Sequence, residues 1–389
     1  MQIYLDYSAT TPPRPEAIER MQWVWQHHWG NPASIHGWGT QAALVLEEAR
    51  IQVANFIHAA PESIVFTSGG TESDNLAVRG ITQSYRTPQH LIISSVEHSA
   101  VEESARLLEQ NGWAITRLPV DSTGQVAVET LEAALQPNTV LVSIIYGQNE
   151  VGTLQPIETL AAITRSRGVL FHTDAVQAAG RIPLDVQALG IDLLSLSSHK
   201  IYGPKGAGAL YVCPGVKLFP LQQGGGQEQG LRSGTPAVAT IAGFGVAAAL
   251  ADREVVAEQD RLTLLRDRLW HQLQSYSPLR WTGSGTGRFQ RLPHHLSFCI
   301  DHPDGKAVNG KTIVRQLNLA GIGISSGSAC SSGKTLPNRI LKQMGYSDRL
   351  ALSSLRISLG KGTTEADMDW VAQVIPQVID RVLAESAES

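Results

Sequence analysis

Residues 193–200 read Leu-Leu-Ser-Leu-Ser-Ser-His-Lys, a mostly apolar run that ends in polar residues and a lysine. Residues 169–177 have the same design, Val-Leu-Phe-His-Thr-Asp-Ala-Val-Gln, with a carboxylate after the run. Short apolar runs bounded by turn residues are typical of strands in a parallel sheet that helices cover on both faces. Because ligands of such sheets bind at the carboxyl ends of the strands, Asp174 and Lys200 are the first candidates for chemistry.

The same pattern extends to both sides of these two segments. It predicts strands at 64–67, 91–94, 140–145, 169–172, 193–196 and 209–212. Helical stretches separate the runs, and this alternation predicts an α/β doubly wound unit. Two helices, at 15–29 and 40–57, are predicted before it.

The pattern changes in the last third of the chain, where we predict a smaller α+β domain. Its predicted elements are a helix at 251–276, a strand at 295–300, a helix at 311–319, a Ser/Gly-rich loop at 325–334, a strand at 355–359 and a final helix from 364. We place the large domain at 14–257 and the smaller domain at 1–13 and 258–389.

Composition excludes several functional classes. The 389 residues are 42% hydrophobic and 17% charged, as in soluble globular proteins, and the net charge of −4 offers no basic field for nucleic acid or an anionic membrane. No apolar stretch approaches the roughly 20 residues of a membrane span, and the N-terminus lacks a signal-peptide pattern. Three widely spaced cysteines argue against a disulfide framework, so we predict a cytoplasmic protein.

Residues 66–72 read Phe-Thr-Ser-Gly-Gly-Thr-Glu, a strand that leads through small residues into a helix. Small residues let the backbone approach a phosphate, and the N–H groups of the helix start stabilise its charge. A tight turn with Thr71 as helix N-cap explains this segment equally well.

Asp174 has three interpretations: a helix cap, a metal ligand, or the partner of a pyridinium nitrogen. No partner ligands for a metal are apparent around it, the doublets His27-His28 and His294-His295 lack metal-site spacing, and we expect no metal. Burial at a strand end would lower the pKa of Lys200 and free its amine to bond to a carbonyl cofactor. The alternative, a solvated surface lysine, must also account for the carboxylate and the phosphate-type turn nearby.

The three cysteines differ in their surroundings. Cys213 and Cys299 lie in apolar segments and are predicted to be small buried hydrophobic residues. Cys330 lies between Ser325-Ser326-Gly327-Ser328-Ala329 and Ser331-Ser332-Gly333, which offer little to bury. A flexible Gly/Ser loop would expose the thiol, so we predict that Cys330 is a nucleophile.

Taken together, these segments resemble a known family, the cysteine desulfurases of NifS/IscS type. The motifs that carry the resemblance lie in order over nearly the whole chain: residues 5–12, 30–34, 68–72, 96–98, 149–152, 172–177, 197–200, 232–235, 326–330 and 354–356. The resemblance implies a fold type I transferase that depends on pyridoxal 5'-phosphate. It also implies a mostly parallel seven-stranded sheet flanked by helices, a smaller α+β domain, and a homodimer with each active site at the subunit interface.

The resemblance also assigns roles to individual residues. Lys200 would carry the cofactor, Asp174 would pair with its ring nitrogen, Gln177 with its phenolic oxygen, and His98 would stack on the ring and assist proton transfer. The cofactor phosphate would be held by Gly70, Thr71, Ser197, His199 and, from the other subunit, Thr235. The substrate would be bound by Arg356, Asn149 and Asn31, and its sulfur would be accepted by Cys330.

The implied activity is conversion of L-cysteine to L-alanine, with the sulfur held on Cys330 as a persulfide. The sulfur would then pass to an acceptor protein such as an iron–sulfur scaffold. Three alternatives use the same fold: a cystine or selenocysteine lyase, which would not need Cys330; another class V aminotransferase; and a non-catalytic binding or scaffold protein, which would be colourless when purified. The longer acceptor loop suggests sulfur delivery without a dedicated activator.

Overall fold

The computed structural model describes residues 2–287, 289–327, 329–331 and 334–387, and of residues 329–331, 334–335 and 386–387 it describes the backbone alone. The helices are α1 (Pro15–His27), α2 (Gly37–Phe56), α3 (Gly70–Thr82), α4 (Ser99–Gln110), α5 (Val128–Ala134), α6 (Ile157–Ser166), α7 (Val186–Leu189), α8 (Val238–Leu273), α9 (Gly310–Leu319), α10 (Arg339–Gln343), α11 (Asp348–Leu352) and α12 (Glu365–Ala387). The strands are β1 (Ile3–Tyr4), β2 (Ile64–Thr67), β3 (His90–Ser94), β4 (Ala114–Leu118), β5 (Thr139–Ser143), β6 (Leu170–Asp174), β7 (Leu193–Ser197), β8 (Gly208–Val212), β9 (Leu279–Trp281), β10 (His295–Ile300), β11 (Ile322–Gly323), β12 (Ala329–Ser331), β13 (Lys334–Leu336) and β14 (Leu355–Ser358).

The central sheet has seven strands in the order β2-β8-β7-β6-β5-β3-β4. Only β8 runs antiparallel to its neighbours, so the predicted mostly parallel sheet is confirmed. All six predicted apolar runs form strands. Strand β4 was not predicted, because this edge strand is only partly buried and carries polar residues such as Thr116 and Arg117.

The long helix α8 differs from the prediction. We expected a helix from residue 251, whereas α8 begins at Val238 and has 36 residues. Its first half is rich in Gly and Ala and packs against α1 and α2. A side chain at Gly245 would collide with the backbone of Ala49 in α2, so small residues are needed for the close approach of the two helices.

Separate hydrophobic clusters lie on the sheet and in the C-terminal part of the chain. Ile3 and Leu5 pack with the second half of α8, with β10 and β14, and with α12. The extreme N-terminus therefore packs with C-terminal elements. The domain limits at residues 13 and 257 stay a prediction. No helix in the described ranges has the length and apolar character to cross a membrane.

The predicted Ser/Gly loop at 325–334 is only partly irregular. Its β12 pairs antiparallel with β13, with Cys330 opposite Thr335, so a short hairpin replaces part of the expected loop. Backbone hydrogen bonding of this kind is independent of the side-chain types that suggested a loop. The Cys330 side chain lies outside the described residues, and its exposure stays a prediction.

The parallel strands bring three polar segments to one edge of the sheet. Residues 68–72 follow β2, Asp174 ends β6 and is followed by residues 175–177, and residues 198–200 follow β7. Gly208 supports this edge from β8, because a side chain there would lie 2.6 Å from the Gly69 Cα atom and 2.7 Å from the Leu196 carbonyl oxygen.

We predict that Gly208→Ala lowers the free energy of unfolding by about 1–3 kcal/mol, because the methyl group would meet backbone atoms that cannot rotate away. Urea unfolding of the purified protein measures this difference. Gly37→Ala is the matched control: open space surrounds Gly37 at the start of α2, so its effect should stay within about 0.5 kcal/mol. Equal effects of the two substitutions would contradict the proposed close packing at Gly208.

Candidate active site

A cavity of about 280 Å³ lies at the carboxyl edge of the sheet. Most of the predicted site residues line it. They are Gly70, Thr71, His98, Asn149, Asp174, Gln177, Ser197, His199, Lys200 and Arg356. Ser8 and Ala9 of the N-terminal segment also contribute to the wall. Residues from widely separated parts of the chain thus face one volume.

One end of the cavity has the features of a phosphate site. Helix α3 begins there with Gly69, not Thr71, as its N-cap residue, and glycine has no side chain that could accept from the N–H groups of the helix start. A side chain at Gly70 would lie 2.7 Å from Val176 Cγ2, which shows how closely the start of α3 approaches the segment that follows β6. The uncapped helix start suits an anion.

His199 completes this end of the cavity. Its Nδ1 atom lies 3.1 Å from the Thr10 hydroxyl oxygen. Burial, together with the positive charges of Lys200 and Lys205, lowers the pKa of His199 to about 4. The ring is therefore neutral near pH 7 and can act as a hydrogen-bond donor from one nitrogen only.

Asp174 lies buried at the end of β6 and accepts a hydrogen bond of 2.9 Å from the Val176 N–H. Burial raises the pKa of Asp174, while the charges of His98 and Lys200 act to lower it. Behind it, burial and the neighbouring Asp174 carboxylate raise the pKa of Asp74 well above its usual value. The two buried carboxyl groups therefore oppose each other's ionisation, and the positive charges of His98 and Lys200 favour the charged form of Asp174.

His172 belongs to the same buried layer. Its Nδ1 atom lies 2.8 Å from the Ser143 hydroxyl, its Nε2 atom lies 3.0 Å from the Ser195 hydroxyl, and burial lowers its pKa to about 3. The sequence analysis assigned no role to Asp74 or His172. The only signal for His172 was a titratable residue at the end of an apolar run, and Asp74, among the polar residues 71–75, gave none.

The expectation that no partner ligands surround Asp174 is wrong. Ligand atoms of Asp74, His98 and Asp174 all lie within 4.8 Å of one another. The three residues come from different elements, so their sequence spacing could not reveal the cluster. Burial favours the protonated form of Asp74, which disfavours a cation here because metal binding requires the carboxylate form.

Lys200 ends a short 3-10 turn after β7 and points into the cavity. Its Nζ atom donates hydrogen bonds to the carbonyl oxygens of Ser8 (2.6 Å) and Ala9 (2.8 Å). Burial and the positive charge of Arg356 lower the pKa of Lys200 to about 8, although Asp174 acts to raise it. The predicted burial of this amine beside a carboxylate is thus seen in the structure.

His98 and Gln177 are held by hydrogen bonds to the backbone. His98 is the N-cap of α4, and its Nδ1 atom accepts from the Ala100 N–H at 3.2 Å. This bond places the proton of the neutral ring on Nε2. Gln177 donates from Nε2 to the Ser8 carbonyl oxygen at 2.8 Å.

Arg356 lies on β14 and is buried. It donates to Asp6 (3.0 Å), Glu150 (2.9 Å) and the Asn149 carbonyl oxygen (3.2 Å). Burial alone would lower the pKa of Arg356, but the two carboxylates more than offset this and raise it. Asp6 and Glu150 were not predicted as site residues.

Asn31 and Thr235 do not reach the cavity within one chain. They line a separate cleft of about 270 Å³ between the end of α1 and the start of α8. For Thr235 this placement was expected, since the other subunit's cofactor was its assigned partner. Asn31 lines this separate cleft, so its assigned role in substrate binding stays a prediction.

Comparisons with known proteins agree with this geometry. The model of the class V aminotransferase family matches residues 3–371. The chain belongs to that family. The cysteine desulfurases IscS of Dictyoglomus turgidum and Pseudomonas putida are each 43% identical to it over 98% of this chain, and over 95% and 94% of their own lengths. Membership in this desulfurase group makes the chain a pyridoxal-phosphate-dependent enzyme.

Solved structures give the same assignment. A NifS-like protein superimposes with a TM-score of 0.90 at 34% identity and covers 98% of this chain and 100% of its own. SspA in complex with cysteine superimposes with a TM-score of 0.80 at 33% identity, over 92% of this chain and 99% of its own. The predicted family and fold are confirmed.

We predict that the rate at which the apoprotein's Lys200 bonds to pyridoxal phosphate rises with pH, with a midpoint near 8. The lowered pKa means that the amine is protonated below about pH 8 and neutral above it, and only the neutral amine attacks an aldehyde. Borohydride trapping followed by peptide mass spectrometry measures this rate. Arg356→Gln should shift the midpoint upward, because Arg356 lowers the Lys200 pKa. A midpoint near 10 in the native protein would contradict the assignment.

Proposed function

We propose that this enzyme converts L-cysteine to L-alanine and takes the sulfur onto Cys330 as a persulfide. The observation that carries the proposal is the placement of the Lys200 amine, the Asp174 carboxylate and the Arg356 guanidinium on one cavity. These are the groups needed to bind an aldehyde cofactor, keep its ring nitrogen protonated and bind an amino-acid carboxylate. The 43% identity to cysteine desulfurases supports the same substrate.

The cavity residues fit pyridoxal phosphate. Lys200 would hold it covalently, Asp174 would hold its ring nitrogen, Gln177 its phenolic oxygen and His98 one face of the ring. The uncapped start of α3, with Thr71, Ser197 and His199, would hold its phosphate. When bound, the cofactor supplies an electron sink that stabilises negative charge at the Cα atom of the amino acid.

The protein residues then act on the substrate. Arg356 binds the carboxylate, since a guanidinium can donate two parallel hydrogen bonds. Lys200 removes the proton from the Cα atom, and its pKa of about 8 lets it accept and return protons near neutral pH. Burial favours the uncharged forms of Asp74 and His172, so Asp174, beside His98 and Lys200, would carry the negative charge that pairs with the ring nitrogen of the cofactor.

The sulfur step needs a nucleophile other than Lys200. The Cys330 thiolate attacks the sulfur of the substrate, so that a sulfur–sulfur bond forms and the carbon–sulfur bond breaks. The three-carbon fragment takes up a proton and leaves as alanine. Cysteine and a thiol thus become alanine and a persulfide, and no external oxidant or reductant is required.

We predict that Cys330→Ser lowers alanine release from L-cysteine by at least about 100-fold, because the sulfur acceptor is removed. Amino-acid analysis measures alanine, and mass spectrometry of the native protein should show one added sulfur atom on the peptide that contains Cys330. Cys213→Ser, at a half-buried position that does not line the cavity, is the control. Undiminished alanine release by Cys330→Ser, without added sulfur on the native chain, would instead favour a lyase.

We also propose that the enzyme acts as a homodimer in which Thr235 reaches the partner's cofactor phosphate. Trp25, Trp29 and Trp38 are 58%, 67% and 60% exposed, and the cleft that contains Thr235 is lined by the first two. Exposed aromatic patches mark protein interfaces. Burial of this surface against a second copy would remove the aromatic side chains from water.

Mixing two inactive variants tests the shared site. We predict that the Lys200→Ala and Thr235→Ala proteins are each at least about tenfold less active than the native enzyme. When the two variants are unfolded together and refolded as mixed dimers, activity should return. One site of each mixed dimer then has Lys200 from one chain and Thr235 from the other. If both residues acted in the same chain, mixing would restore nothing.

The destination of the sulfur is a further part of the proposal. We propose a cytoplasmic enzyme whose persulfide is passed to an acceptor protein such as an iron–sulfur scaffold. The absence of a membrane-spanning helix among the described residues is compatible with this setting. Appearance of labelled sulfur on such a scaffold measures the transfer.

A further inference from the structure

Two carboxylates connect Arg356 to the chain segment that carries Cys330. We call residues 325–327 and 338–339 the first and second stems of this segment. Asp6 and Glu150 each accept a hydrogen bond from Arg356 with one carboxylate oxygen. Each carboxylate meets one of the stems with its other oxygen.

Asp6 makes the connection to the first stem. Its Oδ1 atom lies 3.0 Å from Arg356 Nη2, and its Oδ2 atom accepts from the Ser325 hydroxyl at 2.7 Å. The backbones of Ser325 and Arg356 also pair, with N–H to oxygen distances of 3.1 and 2.8 Å. The first stem therefore cannot move without disturbing the Arg356 strand.

Glu150 makes the connection to the second stem. Its Oε1 atom lies 2.9 Å from Arg356 Nη1, and its Oε2 atom accepts from Asn338 Nδ2 at 3.4 Å. The Asn338 oxygen is already used to cap α10, with 2.8 Å to the Ile340 N–H, so only its amide nitrogen can face Glu150. A side chain at Gly327 would collide with both Asn338 and Glu150, so the two stems meet at this carboxylate.

Arg339 fixes the second stem to the cofactor side of the cavity. Its guanidinium donates to the carbonyl oxygens of Ser95, at 2.8 Å, and Glu97. Ser95 and Glu97 lie three and one positions before His98. Arg356 itself keeps a donor for a ligand, because the bonds among the described residues use only one of the two N–H groups of Nη2.

We propose that Asp6 and Glu150 are positioning residues that hold the substrate-binding arginine and both stems of the Cys330 segment in one network. The network would fix the distance between the substrate's carboxylate site and the sulfur acceptor. This inference rests on the proposed function in that Arg356 binds the substrate and Cys330 accepts its sulfur. Loss of a link should then slow sulfur transfer more than it weakens ligand binding.

Glu150→Gln tests the second link. The amide oxygen can still accept from Arg356, but its NH2 group would meet the Asn338 NH2 group, donor against donor. We expect persulfide formation on Cys330 to slow by about tenfold, while the dissociation constant for L-alanine changes by less than about threefold. Asn338→Asp should have a similar effect, because two carboxylates would then face each other.

The double variant Glu150→Gln/Asn338→Asp exchanges donor and acceptor and restores the hydrogen bond. We expect it to form the persulfide at a rate within about threefold of the native rate. If the two substitutions acted independently, their tenfold losses would multiply to a loss of about 100-fold. The Asp side chain also remains a good N-cap for α10. Multiplied losses in the double variant would overturn the proposal.

Ser325→Ala tests the first link with a smaller change. It removes one hydroxyl and should also slow persulfide formation several-fold with little change in L-alanine affinity. Asp6→Asn is its counterpart: the Ser325 hydroxyl can accept as well as donate, so this substitution should be milder than Ser325→Ala. If Asp6→Asn slowed persulfide formation as much as Ser325→Ala or more, this result would count against a link through the hydroxyl.

Alkylation of Cys330 by iodoacetamide in the resting enzyme gives a readout that needs no turnover. Glu150→Gln, Asn338→Asp and Ser325→Ala should each raise the alkylation rate at least about threefold, because a released stem gives the reagent more access to Cys330. The double variant Glu150→Gln/Asn338→Asp should return the alkylation rate to that of the native enzyme. If the native enzyme formed no persulfide, the proposed function would fail while this readout still tested the network. Unchanged alkylation in every single variant would overturn the network alone.

Discussion

The burial of the Lys200 amine against backbone carbonyls is the constraint on which the site depends. An ammonium group removed from water needs oxygen acceptors, and Ser8 and Ala9 provide them at 2.6 and 2.8 Å. These residues belong to the N-terminal segment, which is also tied to the turn at Lys200 by a 3.0 Å hydrogen bond from the Thr11 N–H to the His199 carbonyl oxygen. The N-terminal segment therefore forms part of the wall of the cavity at the carboxyl edge of the sheet.

The same segment links the amine to the substrate side of the cavity. The hydroxyl of Ser8 lies 3.1 Å from Nε2 of buried His294, and His295 Nε2 lies 3.1 Å from the Asn149 carbonyl oxygen that Arg356 also contacts. The doublet that lacked metal-site spacing thus supports backbone around the cavity. Burial lowers the pKa of both histidines well below the usual range, so they serve as neutral hydrogen-bonding groups.

Prediction from the sequence worked where a residue's role follows from local pattern. Strand ends and small-residue turns identified Asp174, Lys200 and the start of α3, because a parallel sheet places its carboxyl ends together. It did not find Asp6, Asp74 or Glu150. Each of these carboxylates acts through a partner far away in the chain, such as Arg356, 350 positions from Asp6, and no periodicity reports such a contact.

The sequence by itself determined the alternation of strands and helices, the family and the chemical types of the cofactor-binding residues, since all three depend on residue identity and order. Only the tertiary structure decided how burial shifts the pKa values of the Asp74 and Asp174 carboxyl groups, which carbonyls hold the Lys200 amine and which carboxylates hold Arg356. It also decided that Asn31 and Thr235 lie away from their own chain's cavity. The physical reason is that protonation and hydrogen bonding depend on burial and on distances of about 3 Å, which are set when remote segments pack together.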